Sequence, residues 1–159
     1  MSAPLLPGFA VPAPKTAPAV AFRFTVPGQP VSKGRPHVFT QKLKSGKTFT
    51  KAVTPERTVV YENWVRECAR KAMSESQFTF PLDCPLALRA TFHLERPGKP
   101  RWLAPASRPD LDNLLKDILD GAQLAGVYVD DARIVRFEVE KLWTTDEPRA
   151  EVQLLEARA

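Results

Sequence analysis

Residues 109–131 read Pro-Asp-Leu-Asp-Asn-Leu-Leu-Lys-Asp-Ile-Leu-Asp-Gly-Ala-Gln-Leu-Ala-Gly-Val-Tyr-Val-Asp-Asp. Six aspartates against one cation, Lys116, give this window a formal charge of −5; the whole chain is +5, so everything outside the window sums to +10. Carboxylates crowded this closely repel and raise one another's pKa unless a cation sits between them. Their oxygens are the ligands that Mg²⁺ or Mn²⁺ takes. Each piece alone has an ordinary structural use, an Asp at a helix start or an Asp-Asp at a strand end. Concentrated in a basic chain, they predict a divalent-cation site set in a surface that attracts a polyanion.

The spacing predicts how the window folds. Pro109 favours extended backbone before it, and in extended chain Asp110 and Asp112 point to the same side. Leu111, Leu114, Leu115, Ile118, Leu119 and Ala122 then repeat as one apolar helical face. Asp112 reads as the N-cap of that helix, with Lys116 one turn on along the same side. Gly121 weakens the far end and Gly126 is the expected stop. Val127-Tyr128-Val129 reads as a short strand ending in Asp130 and Asp131.

The run from Arg108 to Val135 resembles the signature of the RusA family of Holliday-junction resolvases, found in bacteria and prophages. That signature is Asp-x-Asp-Asn-x-x-Lys, an Asp further along the helix, then a strand ending Asp-Asp. Asp110, Asp112, Asn113, Lys116, Asp120, Asp130 and Asp131 match it in order. A weaker similarity lies in Pro27–Val38, which follows the family's Pro-x-x-Lys-Gly-Arg-Pro-Arg stretch but has His37 in place of the last Arg. The resemblance covers roughly residues 20–156. It implies a RusA-like endodeoxyribonuclease acting in recombination and repair, with one or two Mg²⁺ ions (Mn²⁺ as the alternative) on Asp110, Asp112 and Asp131. Lys116 is then the catalytic cation, stabilising the transition state or positioning the attacking water. Asp130, Asn113 and Asp120 are expected in supporting roles; Asp120 lies about 12 Å along the helix from Asp112, too far to share an ion.

The elements that must hold these residues follow in chain order. Residues 1–19, with five prolines and five alanines, read as a flexible leader before a single domain spanning 20–159. Residues 20–26 alternate as a strand. Residues 30–51 carry Lys33, Arg35, Lys42, Lys44, Lys47 and Lys51 and no acid. A hairpin about Ser45-Gly46 is expected there, its cations on DNA phosphates and Phe39 and Phe49 against bases or sugars. Thr54-Pro55 opens a long helix whose face is Tyr61, Trp64, Val65, Cys68, Ala69, Ala72 and Met73. Residues 86–94 alternate as a strand with His93 on its polar side. Residues 95–109 are a basic, Pro-rich loop, and 133–143 and 149–155 are two strands joined by a turn at Asp146-Glu147-Pro148. The order predicts an α+β fold, a mixed β-sheet with two main helices packed on it.

Cys68 and Cys84 have neither metal nor redox spacing and read as small buried hydrophobes. No apolar run is long enough for a membrane span and no signal-peptide pattern is present, so a cytoplasmic protein is expected. Cutting a four-way junction symmetrically needs two sites. One chain carries one acidic cluster, so a two-fold homodimer is expected. Two other readings remain open at this point: a broader nuclease for flaps and other branched DNA, and a non-catalytic DNA-binding protein with a structural cation site.

Overall fold

The computed structural model describes residues 20–157, so the leader expected over 1–19 lies outside the described residues. Six strands and two helices follow one another as β1 (Val20–Pro27), β2 (His37–Lys42), β3 (Thr48–Val53), α1 (Glu56–Ser74), β4 (Leu86–Glu95), α2 (Leu111–Ala125), β5 (Ile134–Thr144) and β6 (Arg149–Glu156). Strands β1, β6, β4 and β5 form a four-stranded sheet in that order, and β2 and β3 form a separate two-stranded ribbon. The sheet is mixed: β4 is antiparallel to β6 and parallel to β5. The α+β expectation holds. Among the described residues no helix is long and apolar enough to cross a membrane.

Alternation along the strands builds the core. Cross-strand partners form rows on the helix side, such as Phe22, Leu154, Leu88 and Phe137, and then Phe24, Val152, Ala90 and Val139. Tyr61, Val65 and Ala69 of α1 and Leu114, Ile118 and Ala122 of α2 join the same buried cluster. A fully buried Leu or Phe contributes about 1.5–3 kcal/mol relative to an exposed one, so these rows dominate the stability. Gly121 is an asset rather than the weak point its helix propensity suggests. A Cβ there would stand 2.5 Å from Val65 Cγ1, so only glycine lets α1 and α2 approach this closely.

Four local expectations are corrected. Helix α2 starts two residues earlier, at Leu111, with Asp110 rather than Asp112 as the N-cap residue. Helix α1 is entered through Pro55 rather than a Thr54 cap, and Trp64 is half exposed, its indole N–H donating to the Pro27 carbonyl at 2.8 Å. Val127–Val129 is no strand; Tyr128 forms a single bridge to Leu82, and Asp131–Arg133 is a 3-10 turn. β5 and β6 are consecutive but unpaired, because β4 lies between them and satisfies both. Cys68 and Cys84 are free and half buried against the core.

Candidate active site

Helix α2 has a buried and an exposed side. Leu114, Asp117, Ile118, Gly121 and Ala122 are buried, while Asp112 and Lys116, one turn apart, are exposed. Asp110 has extended backbone (φ −73°, ψ 137°), and its side chain makes no capping hydrogen bond. Its carbonyl accepts from Leu114 N–H at 3.1 Å, so the main chain starts the helix and leaves the carboxylate free. Among the described residues, Asp112 and Lys116 also have no side-chain partner. The positive end of the helix dipole stabilises anions here, which suits both the aspartates and a phosphate.

The approach to Asp110 is held from the sheet. Lys141 Nζ donates to the carbonyls of Ser107 (2.7 Å) and Pro109 (2.8 Å). Trp143 Nε1 donates to the Trp102 carbonyl at 3.2 Å, and the Arg101 guanidinium lies 5.0 Å from the Trp102 ring centroid. The basic loop of 95–109 is therefore pinned to β5, and Lys141 fixes the residue immediately before the first aspartate. Sequence reading missed Lys141, since a lysine in an alternating strand carries no local signal.

The other acids of the window have neighbours of their own. Asp130 Oδ1 accepts from Ala132 N–H at 2.7 Å and caps the 3-10 turn, a structural use. Asp131 sits beside the Tyr128 hydroxyl; burial first, then the Asp131 charge, pushes that hydroxyl's pKa up. The same hydroxyl donates to the Leu119 carbonyl at 2.8 Å. Leu119 is seven residues beyond Asp112, roughly 10 Å along the axis. Among the described residues no three acidic, His or Cys side chains converge as a metal cage.

Asp120 and Lys33 belong to a different group. Lys33 Nζ pairs with Asp120 and lies 3.0 Å from Glu62 Oε1, joining α1 to α2. Burial lowers the Lys33 pKa, but the two carboxylates reverse this and hold it above the ordinary value. The main chain is fixed too: Lys33 N–H donates to the Asn113 carbonyl (3.2 Å) and Gly34 N–H to Thr58 Oγ1 (2.9 Å). A Cβ on Gly34 would stand 2.7 Å from Pro55 Cγ, so the segment crosses the start of α1 only as glycine. Beside this group Asp117 is 0 % exposed, with neither carboxylate oxygen hydrogen-bonded. Burial, then Glu62, pushes its pKa up to about 7, Lys33 opposing. Asp117 was legible as an acid in the apolar phase of α2, between Leu114 and Gly121; Glu62 gave no such signal.

The remaining expected cations sit on the ribbon. All twelve residues of β2 and β3 are exposed. Antiparallel pairing sets Phe39 opposite Lys51 and Gln41 opposite Phe49. These four therefore share one face, while Lys42 lies on the other with Thr48 and Thr50. Lys44 and Lys47 flank the turn, closed by Gly46 N–H to the Leu43 carbonyl at 2.9 Å, and Arg35 is exposed on the way in.

Comparison with known proteins points to one family. A family model described as "Endodeoxyribonuclease RusA" matches residues 27–155, which contains every residue of the site. "Crossover junction endodeoxyribonuclease rusA" of Lactococcus phage r1t is 37% identical over 78 residues, 48% of this chain and 59% of that protein. "Uncharacterized protein YqaN" of Bacillus subtilis (strain 168) is 27% identical over 145 residues, 86% of this chain and 97% of that one.

Proposed function

We propose, from the premise that this chain belongs to the RusA endodeoxyribonuclease family, that it resolves four-way DNA junctions by paired symmetric nicks in recombination and repair. It acts on branched DNA in the cytoplasm, as a Mg²⁺-dependent homodimer. One observation carries the reading: among the described residues, Asp110, Asp112 and Lys116 stand exposed and unpartnered at the start of α2, whereas Asp83, Asp120, Glu138 and Glu151 are each held by a cation.

The donor set suits Mg²⁺, which is commonly bound through one or two carboxylates, with water and phosphate completing its shell. Asp110 and Asp112 would hold the ion. When bound, it supplies a more acidic water and neutralises charge developing on the phosphate. The chain's own groups do the rest. Lys116 meets the phosphate oxygens from the same helix face, the first-turn amides of α2 favour the same anion, and Lys141 keeps Pro109 and Asp110 in place. Asp131 joins the pair as the third ligand, and dimerisation supplies the two sites that paired nicks need. Arg35, Lys42, Lys44, Lys47 and Lys51 take phosphates, and Phe39 and Phe49 lie on bases or sugars. Lys33 instead holds α1, α2 and the entry segment together.

The test is cleavage of synthetic four-way, flapped and linear duplex DNA with and without Mg²⁺. Paired symmetric nicks on the four-way substrate, abolished by chelation, are expected. Cuts confined to flaps, or binding without any cleavage, would overturn the reading.

A further inference from the structure

Leu103 is 100% exposed and its neighbour Trp102 is 53% exposed, and neither side chain joins the buried core. Single exposed apolar residues are ordinary, but this pair is held out by its backbone. Arg96 N–H donates to the Thr144 carbonyl at 3.0 Å, Trp143 Nε1 to the Trp102 carbonyl, and Lys141 Nζ to the carbonyls of Ser107 and Pro109. Pro97, Pro100, Pro105 and Pro109 restrict φ along the same loop, and Pro105 is buried. The loop is therefore fixed to the sheet on both sides of a tip whose two large apolar side chains face water.

Charge and place say what the tip meets. Residues 96–109 hold Arg96, Lys99, Arg101 and Arg108 and no acid, so the fitting partner is an anion. An apolar pair inside a basic rim suits a polyanion that also offers flat apolar faces, which is nucleic acid with accessible bases. The Arg101 guanidinium, close to the Trp102 ring, adds a planar cation to the same surface. Lys141 and Trp143 lie two apart on one face of β5, roughly 7 Å from each other. One anchors Pro109, the residue before Asp110, and the other anchors Trp102. The tip and the candidate metal ligands are thus held from neighbouring points of one strand.

We propose that Trp102 and Leu103 form a wedge that enters the DNA at its branch point, Trp102 stacking on a base at the crossover and Leu103 filling the gap beside it. The wedge rests on the junction-resolving reading and deepens it by naming what selects the substrate. In continuous duplex an apolar wedge must first part stacked base pairs. A branch point already interrupts the stack, so entry there costs less. Contacts from the cations to phosphates hold branched and linear DNA alike; the wedge tells them apart.

The test is binding of full-length protein to a synthetic four-way junction and to linear duplex of the same sequence, without Mg²⁺ so that neither is cut. The double variant Trp102→Ala, Leu103→Ala is expected to bind the junction about tenfold or more weakly, as for loss of a stacked base, and the duplex within about twofold of wild type. Trp102→Phe, which keeps a stacking face, is expected to retain most of the preference. With 2-aminopurine at the branch point, wild type is expected to change the probe's fluorescence and the double variant to leave it near that of free junction. Circular dichroism and sedimentation of the same samples check folding and assembly. An unaltered junction preference, or equal losses on junction and duplex, would overturn the wedge while leaving the resolvase reading standing. A double variant that loses dimer content would overturn it too, because the pair then covers a protein surface. A wild-type protein with no preference for the junction would overturn both readings.

Discussion

Asp112 and Asp120 lie two turns apart on the outer side of α2, and the same residue type serves opposite ends there. Asp120 is answered by Lys33, which also reaches Glu62 and ties both helices to the entry segment. Among the described residues Asp112 has no cation partner, and Lys116, one turn along the helix, is equally unpartnered. One end of the helix has its electrostatics completed inside the fold; the other leaves them open. A protein stabilised by pairing charges has no internal reason to leave two aspartates and a lysine unsatisfied on one face. A ligand carrying both a cation and an anion, such as a metal ion on a phosphodiester, would complete that face.

The sharpest way to break the contrast is Asp112→Asn. It is expected to lower the single-turnover cleavage rate by about a thousandfold or more, with junction affinity unchanged or tighter, since a metal ligand is lost along with a charge that repels phosphate. Rate assays at saturating Mg²⁺, paired with gel-shift titration, read both quantities. More than a tenth of wild-type activity would remove Asp112 from the metal site.

Lysine substitutions set the two ends against each other. Lys116→Ala should slow cleavage by about a hundredfold with the melting temperature almost unmoved, as befits an exposed group that acts on the transition state. Lys33→Ala should do the reverse, lowering the melting temperature because Asp120 and Glu62 lose their shared cation, with far less effect on the rate per folded molecule. Single-turnover rates and thermal melts of both variants decide the matter. A Lys116 variant that melts early but cuts normally would make both lysines structural.

The ribbon offers a smaller effect of a third kind. Replacing Lys42, Lys44, Lys47 and Lys51 together by alanine should weaken junction binding roughly tenfold at moderate salt, and each lost phosphate contact should reduce the salt slope by about one. Binding isotherms over a range of salt concentrations check this. An unchanged slope would place the ribbon away from DNA.

How much of this was legible depends on whether a property is local. The apolar repeat of α2, the Gly126 stop, the hairpin about Gly46 and the strand at 86–95 are read from residues that touch their sequence neighbours, and the structure agrees. The Asp112 cap failed by two residues because any of Asp110, Asp112 and Asn113 has the chemistry of a cap, and composition does not choose among them. The placement of β4 between β5 and β6 was not legible, because a short turn between two strands does not reveal which third strand intervenes. Lys33 was read as a free phosphate-binding cation; its partners are 29 and 87 residues away, beyond the reach of any spacing rule.

Asp117 supplies the finest test, because it lies on the closed side of the contrast and its charge state is set by that closure. Its folded pKa is raised to about 7 from the ordinary 3.8, burial leading and Glu62 and Asp120 adding to it against Lys33. Below about pH 4 both folded and unfolded chains hold the proton, so this group adds no pH dependence there. As pH rises from there to about 7, the unfolded chain releases the proton while the folded chain keeps it, and stability falls. Above about pH 7 both are ionised and the loss is complete, on the order of a few kcal/mol. Asp117→Asn keeps the shape without the ionisation. It should therefore leave the melting temperature near wild type at pH 4 and raise it by roughly 10 °C at pH 8. Thermal melts of both proteins across that range give the difference curve directly. A difference that is flat with pH would mean that folding does not shift the Asp117 carboxyl, and an Asn variant less stable than wild type at pH 8 would mean that Asp117 is ionised and paired in the folded protein; either outcome would show that the two sides of α2 are not electrostatically distinct after all.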